Sequence, residues 1–476
     1  MNAKHKQMKR QYLLLSLFLV VLTMATHAEQ GHQISIQINN YDGTETYLAY
    51  HFGNRQYLRD TAYVNTENRF VFSGKEPLVA GMYLVVLDDD RNFEIILDSN
   101  QVFEVEVDAN NLVGSANFRN SPDNVLFYEY IHFLGEKGRQ RSALEQEFNH
   151  PGTSEARQLA IRQELAEMDD EVLNKQNEII DSDPDALLSR IILAQRDPEL
   201  PETPLLADGS MDREYMYQIY KKHFFDNIDF SDDRILQTPV YHGRLRIYFN
   251  NVLIQHPDSI IAEADRVLDK ARANKEMFKY TLWFITNNAE TSQSMGMDKV
   301  FVHLVENYYM TDEVDWIEEE RRNRIINRAK DLTPLLIGNI APDFEINDPE
   351  GNPISLHGIE ADYLVLYFWD AECAFCKQAT ASLQQSYEQL SGLGAKIFAV
   401  NIENDKQKWL NNIATYDQDW IHGNDIHKRS DFLDVYNIFA IPQIFILDRD
   451  KKIVAKDIGA EHVFRFLNEH MRQKGN

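Results

Sequence analysis

The stretch from Tyr363 to Leu390 constrains this chain more than any other. An unbroken apolar run, Tyr363-Leu364-Val365-Leu366-Tyr367-Phe368-Trp369, leads through Asp370-Ala371-Glu372 into Cys373-Ala374-Phe375-Cys376. A helix-like stretch from Lys377 to Leu390 follows. The run reads as a buried strand, and a buried strand demands covering layers on both faces. A strand that delivers a Cys-x-x-Cys pair to a helix N-terminus builds a dithiol site. The helix end stabilises the thiolate of the first cysteine, and the second lies one turn on, placed to close a disulfide.

Cys373 and Cys376 are the only cysteines in 476 residues. The loop they close is too small to stabilise a fold of this size appreciably. Structural cysteines of an oxidising compartment are normally scattered and paired across loops. The pair is therefore there for chemistry or for metal. Zinc needs further ligands than two thiolates, and no second Cys pair exists. A copper site using His422 or His427 is the remaining metal alternative; no metal and no cofactor are expected.

The first 28 residues have the order of a secretory signal. Lys4, Lys6, Lys9 and Arg10 precede an apolar core from Leu13 to Leu22, and small residues surround Thr26-His27-Ala28. Cleavage is expected after Ala28, because the apolar core is too short for a comfortable membrane span. No cysteine follows it, which excludes a lipid-modified cysteine in the usual form. The chain carries a formal charge of -27. Such a surface repels nucleic acid and anionic lipid, so neither is expected as a partner.

A chain of 476 residues is too long for one ordinary domain. Residues 29–118 read as a small antiparallel β domain, sandwich-like, with candidate strands Ile34–Ile38, Thr46–His51, Arg69–Ser73, Met82–Leu87, Phe93–Leu97 and Val102–Val107. Asp88-Asp89-Asp90 lacks the glycine and distal glutamate of a calcium loop and reads as a solvated turn. Residues 119–333 have helical period throughout and form an irregular all-α domain. Its clearest helix runs from Ser154 to Asp181, with Ile161, Leu165, Met168, Val172 and Ile179 on one face. A helix is also expected over Glu313–Lys330. The aromatic stripes Tyr215, Tyr217, Tyr220, Phe224, Phe225 and Tyr280, Trp283, Phe284 read as core. No catalysis is assigned to this middle part. Residues 334–476 return to alternating strand and helix, an α/β domain with an edge hairpin at Asp448-Arg449-Asp450-Lys451; the segment around Trp420 reads as a loop.

Four features in order make residues 337–476 resemble a thioredoxin-fold domain of the TlpA/ResA-like, AhpC/TSA-related group. Gly338-Asn339-Ile340-Ala341-Pro342-Asp343-Phe344 matches that group's G-x-x-A-P-x-F opening. Trp369 with Cys373 and Cys376 matches W-x-x-x-C-x-x-C. Tyr436 to Pro442 matches the stretch ending in a cis-proline, and Phe445-Ile446-Leu447-Asp448 with Lys452-Ile453-Val454 matches the closing hairpin. The β-rich and helical parts are similar to uncharacterised modules that precede such domains in exported Gram-negative proteins.

The resemblance implies a thiol–disulfide oxidoreductase of the periplasm or cell envelope, exchanging disulfides with envelope proteins and an unspecified redox partner. Cys373 is then the attacking thiolate and Cys376 the resolving cysteine. Pro442, with Ile441 before it, holds an extended substrate segment, and Trp369 packs beside the site as part of the same substrate-binding group. Substrate selection is expected to use the surface around Pro442 and the helical domain. The chain departs from the group at Tyr367 and Ala379, where acids are expected, and at Gln443, where Thr is usual. Glu372, Asp370 or water then has to accept the proton of Cys376. Two other function classes fit the sequence. One is a thiol-dependent peroxidase, opposed by Leu366 and Asp370 where a peroxiredoxin needs Pro and Thr or Ser. The other is a non-enzymatic envelope binding or assembly protein with a residual thioredoxin domain.

Overall fold

The computed structural model describes residues 31–414 and 419–474. The leader-like segment 1–28 lies outside them. The chain divides into two compact units: one runs through Tyr248 and includes Arg272–Met277, and the other comprises Phe249–Ala271 and everything from Phe278 onward.

The first unit begins with eight strands: β1 (His32–Asn39), β2 (Glu45–Phe52), β3 (Arg55–Tyr63), β4 (Phe70–Gly74), β5 (Gly81–Leu87), β6 (Asn92–Leu97), β7 (Val102–Asp108) and β8 (Asn117–Arg119). They form two four-stranded sheets in the orders β4-β1-β7-β8 and β3-β2-β5-β6, antiparallel except for β1 with β7. Alternation sets which side faces in. Ile34, Ile36 and Ile38 pair in register with Phe103, Val105 and Val107, and all six are buried. Strand β3 escapes the sequence reading because it is a charged edge, with Arg55, Gln56, Arg59 and Asp60 exposed. Such residues blunt an edge against pairing with other chains. The aspartates at 88–90 form the turn between β5 and β6, where Asp89 pairs with Arg91 at 2.5 Å.

Helices α1 (Pro122–Phe148), α2 (Glu155–Ser182), α3 (Leu187–Gln195), α4 (Arg213–His223) and α5 (Val240–Ile247) complete this unit. Ile161, Met168 and Ile179 are buried along α2, as the periodicity predicts. Phe224 and Phe225 are core residues, whereas Tyr215 is exposed at the solvent end of its stripe.

In the second unit come α6 (Pro257–Ala271), most of α7 (Lys275–Glu290), α8 (Asp298–Leu304) and α9 (Glu319–Leu332). Tyr280 and Phe284 of α7 are buried. Helix α9 starts six residues later than the sequence suggests, because Thr311–Glu318 turns back and buries Val314. Arg322 caps that turn by donating to the carbonyls of Tyr309 at 2.7 Å and Thr311 at 2.8 Å.

The rest of the unit is one seven-stranded sheet with helices on both faces. Its elements are β9 (Glu345–Asn347), β10 (Pro353–Ser355), β11 (Tyr363–Trp369), α10 (Ala374–Gly392), β12 (Ala395–Asn401), α11 (Lys406–Ile413), β13 (Ile421–Asn424), α12 (Phe432–Val435), β14 (Gln443–Asp448), β15 (Ile453–Lys456) and α13 (Val463–Lys474). The strand order is β10-β9-β13-β12-β11-β14-β15. The segment after Trp420 is therefore a strand, β13, and not a loop. Its His-Gly-Asn composition hides it, yet the glycine is what lets it lie there: a Cβ on Gly423 meets Ile346 Cδ1 at 2.5 Å. Strand β11 is buried along its whole length. Val365, Tyr367 and Trp369 face the layer containing Leu383 and Leu467, while Leu364, Leu366 and Phe368 face Phe344, Phe398 and Tyr436.

Candidate active site

Three chain segments meet at the C-terminal end of β11. Parallel pairing sets Trp369 opposite Asn401 of β12, and antiparallel pairing sets Phe368 opposite Gln443 of β14. Gln443 follows the cis peptide Ile441–Pro442, so the pairing fixes that loop beside the turn Asp370–Glu372. The carboxylate of Asp370 tightens the turn by accepting from the backbone N–H of Glu372 at 2.7 Å. Cys373 then caps α10 in extended geometry, and its Sγ accepts from the backbone N–H of Cys376 at 3.3 Å. The sulfur thus occupies the place where helix N–H groups have no intrahelical partner and the helix dipole is positive. On its other side, Sγ lies 3.7 Å from the carbonyl oxygen of Ile441.

Cys376 is in a different situation. It is fully buried under the first turn of α10. Burial pushes its thiol up to about 12, the neighbouring Cys373 sulfur adds to the rise, and the backbone of Asp370 opposes it. Where the family resemblance implies a buried acid, Tyr367 sends a hydroxyl instead. It donates to the Cys376 carbonyl at 3.0 Å and lies 3.0 Å from Thr380 Oγ1. With its own hydrogen committed to the carbonyl, it accepts from Thr380. Ala379 is buried and carries no proton acceptor. Glu372 points outward and pairs with Lys408 at 3.2 Å, which raises the Lys408 ammonium. The carboxylate near Cys376 is therefore Asp370, half-exposed and already bonded to the turn.

Because the Tyr367 hydroxyl is buried and doubly bonded, Tyr367→Phe is expected to cost about 1–2 kcal/mol. Thermal unfolding followed by circular dichroism checks this, and an unchanged midpoint removes the hydroxyl from any supporting role.

A second polar group braces the strand ends. Asn401 and Asn424, both buried, are bonded to each other at 2.9 Å. Asn401 also accepts from the N–H of Glu403 at 2.9 Å, and Asn424 donates to the Glu403 carbonyl at 2.9 Å. The N–H of Ile402 donates to the Trp369 carbonyl at 3.0 Å. Buried amides satisfied this way hold a loop in one conformation. Sequence reading passes over them, since Asn424 falls in the segment taken for a loop; an Asn closing each of two adjacent strands is the available signal.

Of the residues read from the sequence, Cys373, Cys376, Ile441 and Pro442 come together. Trp369 does not line the surface: it is 1% exposed and lies beneath the site, stacked on Tyr367 with ring centres 6.3 Å apart. The residues that do stand open are ones the sequence reading gave no role. Phe375, between the cysteines, is 69% exposed, and Phe439, three residues before Pro442, is 85% exposed. His422 is partly buried on β13, its ring centre 6.2 Å from that of Trp420, and desolvation pushes it down to about 4. Among the described residues, no group of three or more His, Cys, Asp or Glu side chains converges as a metal site.

The AhpC/TSA family model matches residues 337–456. Two families of unknown function match the parts before it, DUF4369 over residues 32–127 and DUF5106 over residues 163–331. A thiol-disulfide oxidoreductase ResA of Bacillus cereus is 27% identical over 131 residues, 28% of this chain and 75% of its own. Among solved structures, a thioredoxin-like protein from Bacteroides caccae ATCC 43185 is 20% identical, with TM-score 0.45, covering 57% of this chain and 99% of that one. A domain of a possible thiol-disulfide isomerase from Cytophaga hutchinsonii ATCC 33406 is 33% identical, with TM-score 0.28, covering 30% of this chain and 97% of that one. Residues 337–456, a helix-covered sheet with a Cys-x-x-Cys pair at a helix start and a cis-proline beside it, thus have a thioredoxin fold, match the AhpC/TSA family model and are similar to the ResA oxidoreductases.

Proposed function

We propose that the chain is an exported thiol–disulfide oxidoreductase that exchanges disulfides with proteins of the cell envelope through Cys373 and Cys376. The observation that carries this reading is the placement of the Cys373 sulfur, 3.3 Å from the Cys376 N–H and 3.7 Å from the Ile441 carbonyl that precedes cis-Pro442. The leader-like order of residues 1–28 supports export. No described helix is long and apolar enough to cross a membrane.

In the reducing direction, the Cys373 thiolate attacks one sulfur of a substrate disulfide. A Cys373–substrate bond forms and the first substrate thiolate leaves. Cys376 loses its proton and attacks the Cys373 sulfur, which closes the Cys373–Cys376 disulfide and frees the second substrate thiolate. The substrate gains two electrons and the pair loses two. The same steps run backwards oxidise a substrate dithiol, and an external dithiol or disulfide resets the pair.

An insulin-reduction assay with excess dithiothreitol tests the proposal. Acceleration by the unmodified protein is expected, and none by Cys373→Ser. Acceleration that survives both Cys373→Ser and Cys376→Ser overturns the dithiol mechanism. The reduction potential of the pair, measured against glutathione buffers, sets the direction of exchange.

A pH dependence follows from the burial of Cys376. Its raised value makes the thiolate scarce at neutral pH, and that fraction grows about tenfold per pH unit until it nears the raised value. Resolution of a preformed mixed disulfide is therefore expected to accelerate about tenfold from pH 7 to 8 and again from 8 to 9. Stopped-flow release of a fluorescent thiol reads this rate, and a flat profile rejects Cys376 as the proton-limited group.

A further inference from the structure

The loop carrying Pro442 is one wall of a cleft of about 420 Å³ whose other wall is the turn Ser292–Asp298 between α7 and α8. Both walls lie in the same compact unit. Pro442, Gln443 and Phe439 line the first wall, and Ser294 and Met295 line the second. The second wall is held in place from below. Asp298, at its end, pairs with Lys456 of β15 at 2.5 Å, and the same ammonium donates to the Leu335 carbonyl at 3.2 Å. Gly296 gives the turn its shape, with φ at +82°.

The cleft is connected to the sulfur chemistry through the cis-proline loop. Ile441 offers its carbonyl to Cys373, and the next residue, Pro442, lines the cleft. An occupant that touches Pro442 is thus one position along the chain from the carbonyl beside the attacking sulfur. Its volume is in the range of sites that enclose a ligand of several residues or a drug-sized molecule. Two observations favour a polypeptide over a small acidic thiol. Phe439, in the lining of the cleft, is largely exposed and presents an apolar face that a polypeptide covers and a small hydrophilic thiol leaves wet. The net charge of -27 also disfavours anionic thiols.

We infer that the turn Ser292–Asp298 is the second wall of a polypeptide-binding cleft, which holds an extended segment of the substrate next to its reacting cysteine. This rests on the oxidoreductase reading above and adds to it a specificity element outside the thioredoxin fold. The helical segment then takes part in choosing substrates, and small disulfides react without needing it.

The test compares two substrates on the full chain: insulin, and the small uncharged disulfide of 2-mercaptoethanol. Ser294→Trp fills the cleft and Met295→Ala removes apolar surface from its wall. Closing the cleft is expected to lower the ratio of kcat/KM for insulin to kcat/KM for the small disulfide by about tenfold, and Met295→Ala by about threefold. Circular dichroism and thermal unfolding establish that each variant is folded. If Ser294→Trp does not fold, Met295→Ala and the milder Ser294→Gln decide by the same ratio. An unchanged ratio in folded variants overturns the cleft and leaves the dithiol mechanism standing. An unmodified chain inactive on both substrates overturns the oxidoreductase reading itself.

Discussion

Cys376→Ser is expected to accumulate covalent adducts with substrate proteins, while Cys373→Ser accumulates none. The two sulfurs differ in access and in local field. Cys373 is partly exposed and sits at the positive end of a helix of 19 residues, so it is the one a substrate disulfide can reach. Cys376 is fully buried with its thiol pushed up to about 12, which makes it a poor first attacker and leaves it the role of internal resolving thiol. Without Cys376, the mixed disulfide on Cys373 has no internal sulfur to resolve it and persists until an outside thiol arrives. Without Cys373, the buried thiol meets no substrate. Non-reducing electrophoresis followed by mass spectrometry of insulin adducts reads the difference. Adducts confined to Cys373→Ser invert the assigned order of attack.

Asp298→Ala is expected to destabilise the second unit by about 3–5 kcal/mol. The Asp298–Lys456 pair joins α8 to β15 with side chains only 14% and 6% exposed. Removing the carboxylate strands the Lys456 ammonium in a place from which water is nearly excluded, with the Leu335 carbonyl as a remaining partner. That penalty is the desolvation of an unpaired charge and exceeds what the pair itself contributes. The double variant Asp298→Ala with Lys456→Met is therefore expected to recover most of the loss. Urea unfolding monitored by tryptophan fluorescence measures both. A double variant no more stable than the single one disproves the stranded-charge account.

Much of the C-terminal domain was legible because its signals are strong and local. A seven-residue apolar run cannot be satisfied except between two layers, and β11 is found at the predicted residues. Cys373, Cys376 and Pro442 are recognisable by type and order alone. Two kinds of feature were not legible. Short strands such as β9, β10 and β13 have too few residues for alternation to show, and they exist because neighbours supply their hydrogen bonds. Side-chain direction is the other. Sequence order places Trp369 next to the cysteines, but layers on both faces of β11 bury it, while Phe375 on the first turn of α10 and Phe439 in the loop before Pro442 stand outside. Tyr367 was visible as a substitution for an acid, yet its bond to Thr380 depends on a helix crossing over the strand, which only the fold provides. The wall at Ser292–Asp298 is long-range in the same sense, since its partner residues lie more than a hundred positions away.

The Lys456–Asp298 pair also bears on how such a chain can be rearranged by recombination. A thioredoxin-fold segment beginning near residue 337 looks like a cassette that could be moved between proteins. Cut there, it takes Lys456 away from its counter-ion, so the cassette arrives in a new chain with a defect it did not have before. The piece that can be inherited intact is larger than the recognisable fold and includes Asp298 with the helices around it. Substitutions at positions 298 and 456 are then bound to each other, and a lineage that loses one charge is under pressure to lose both.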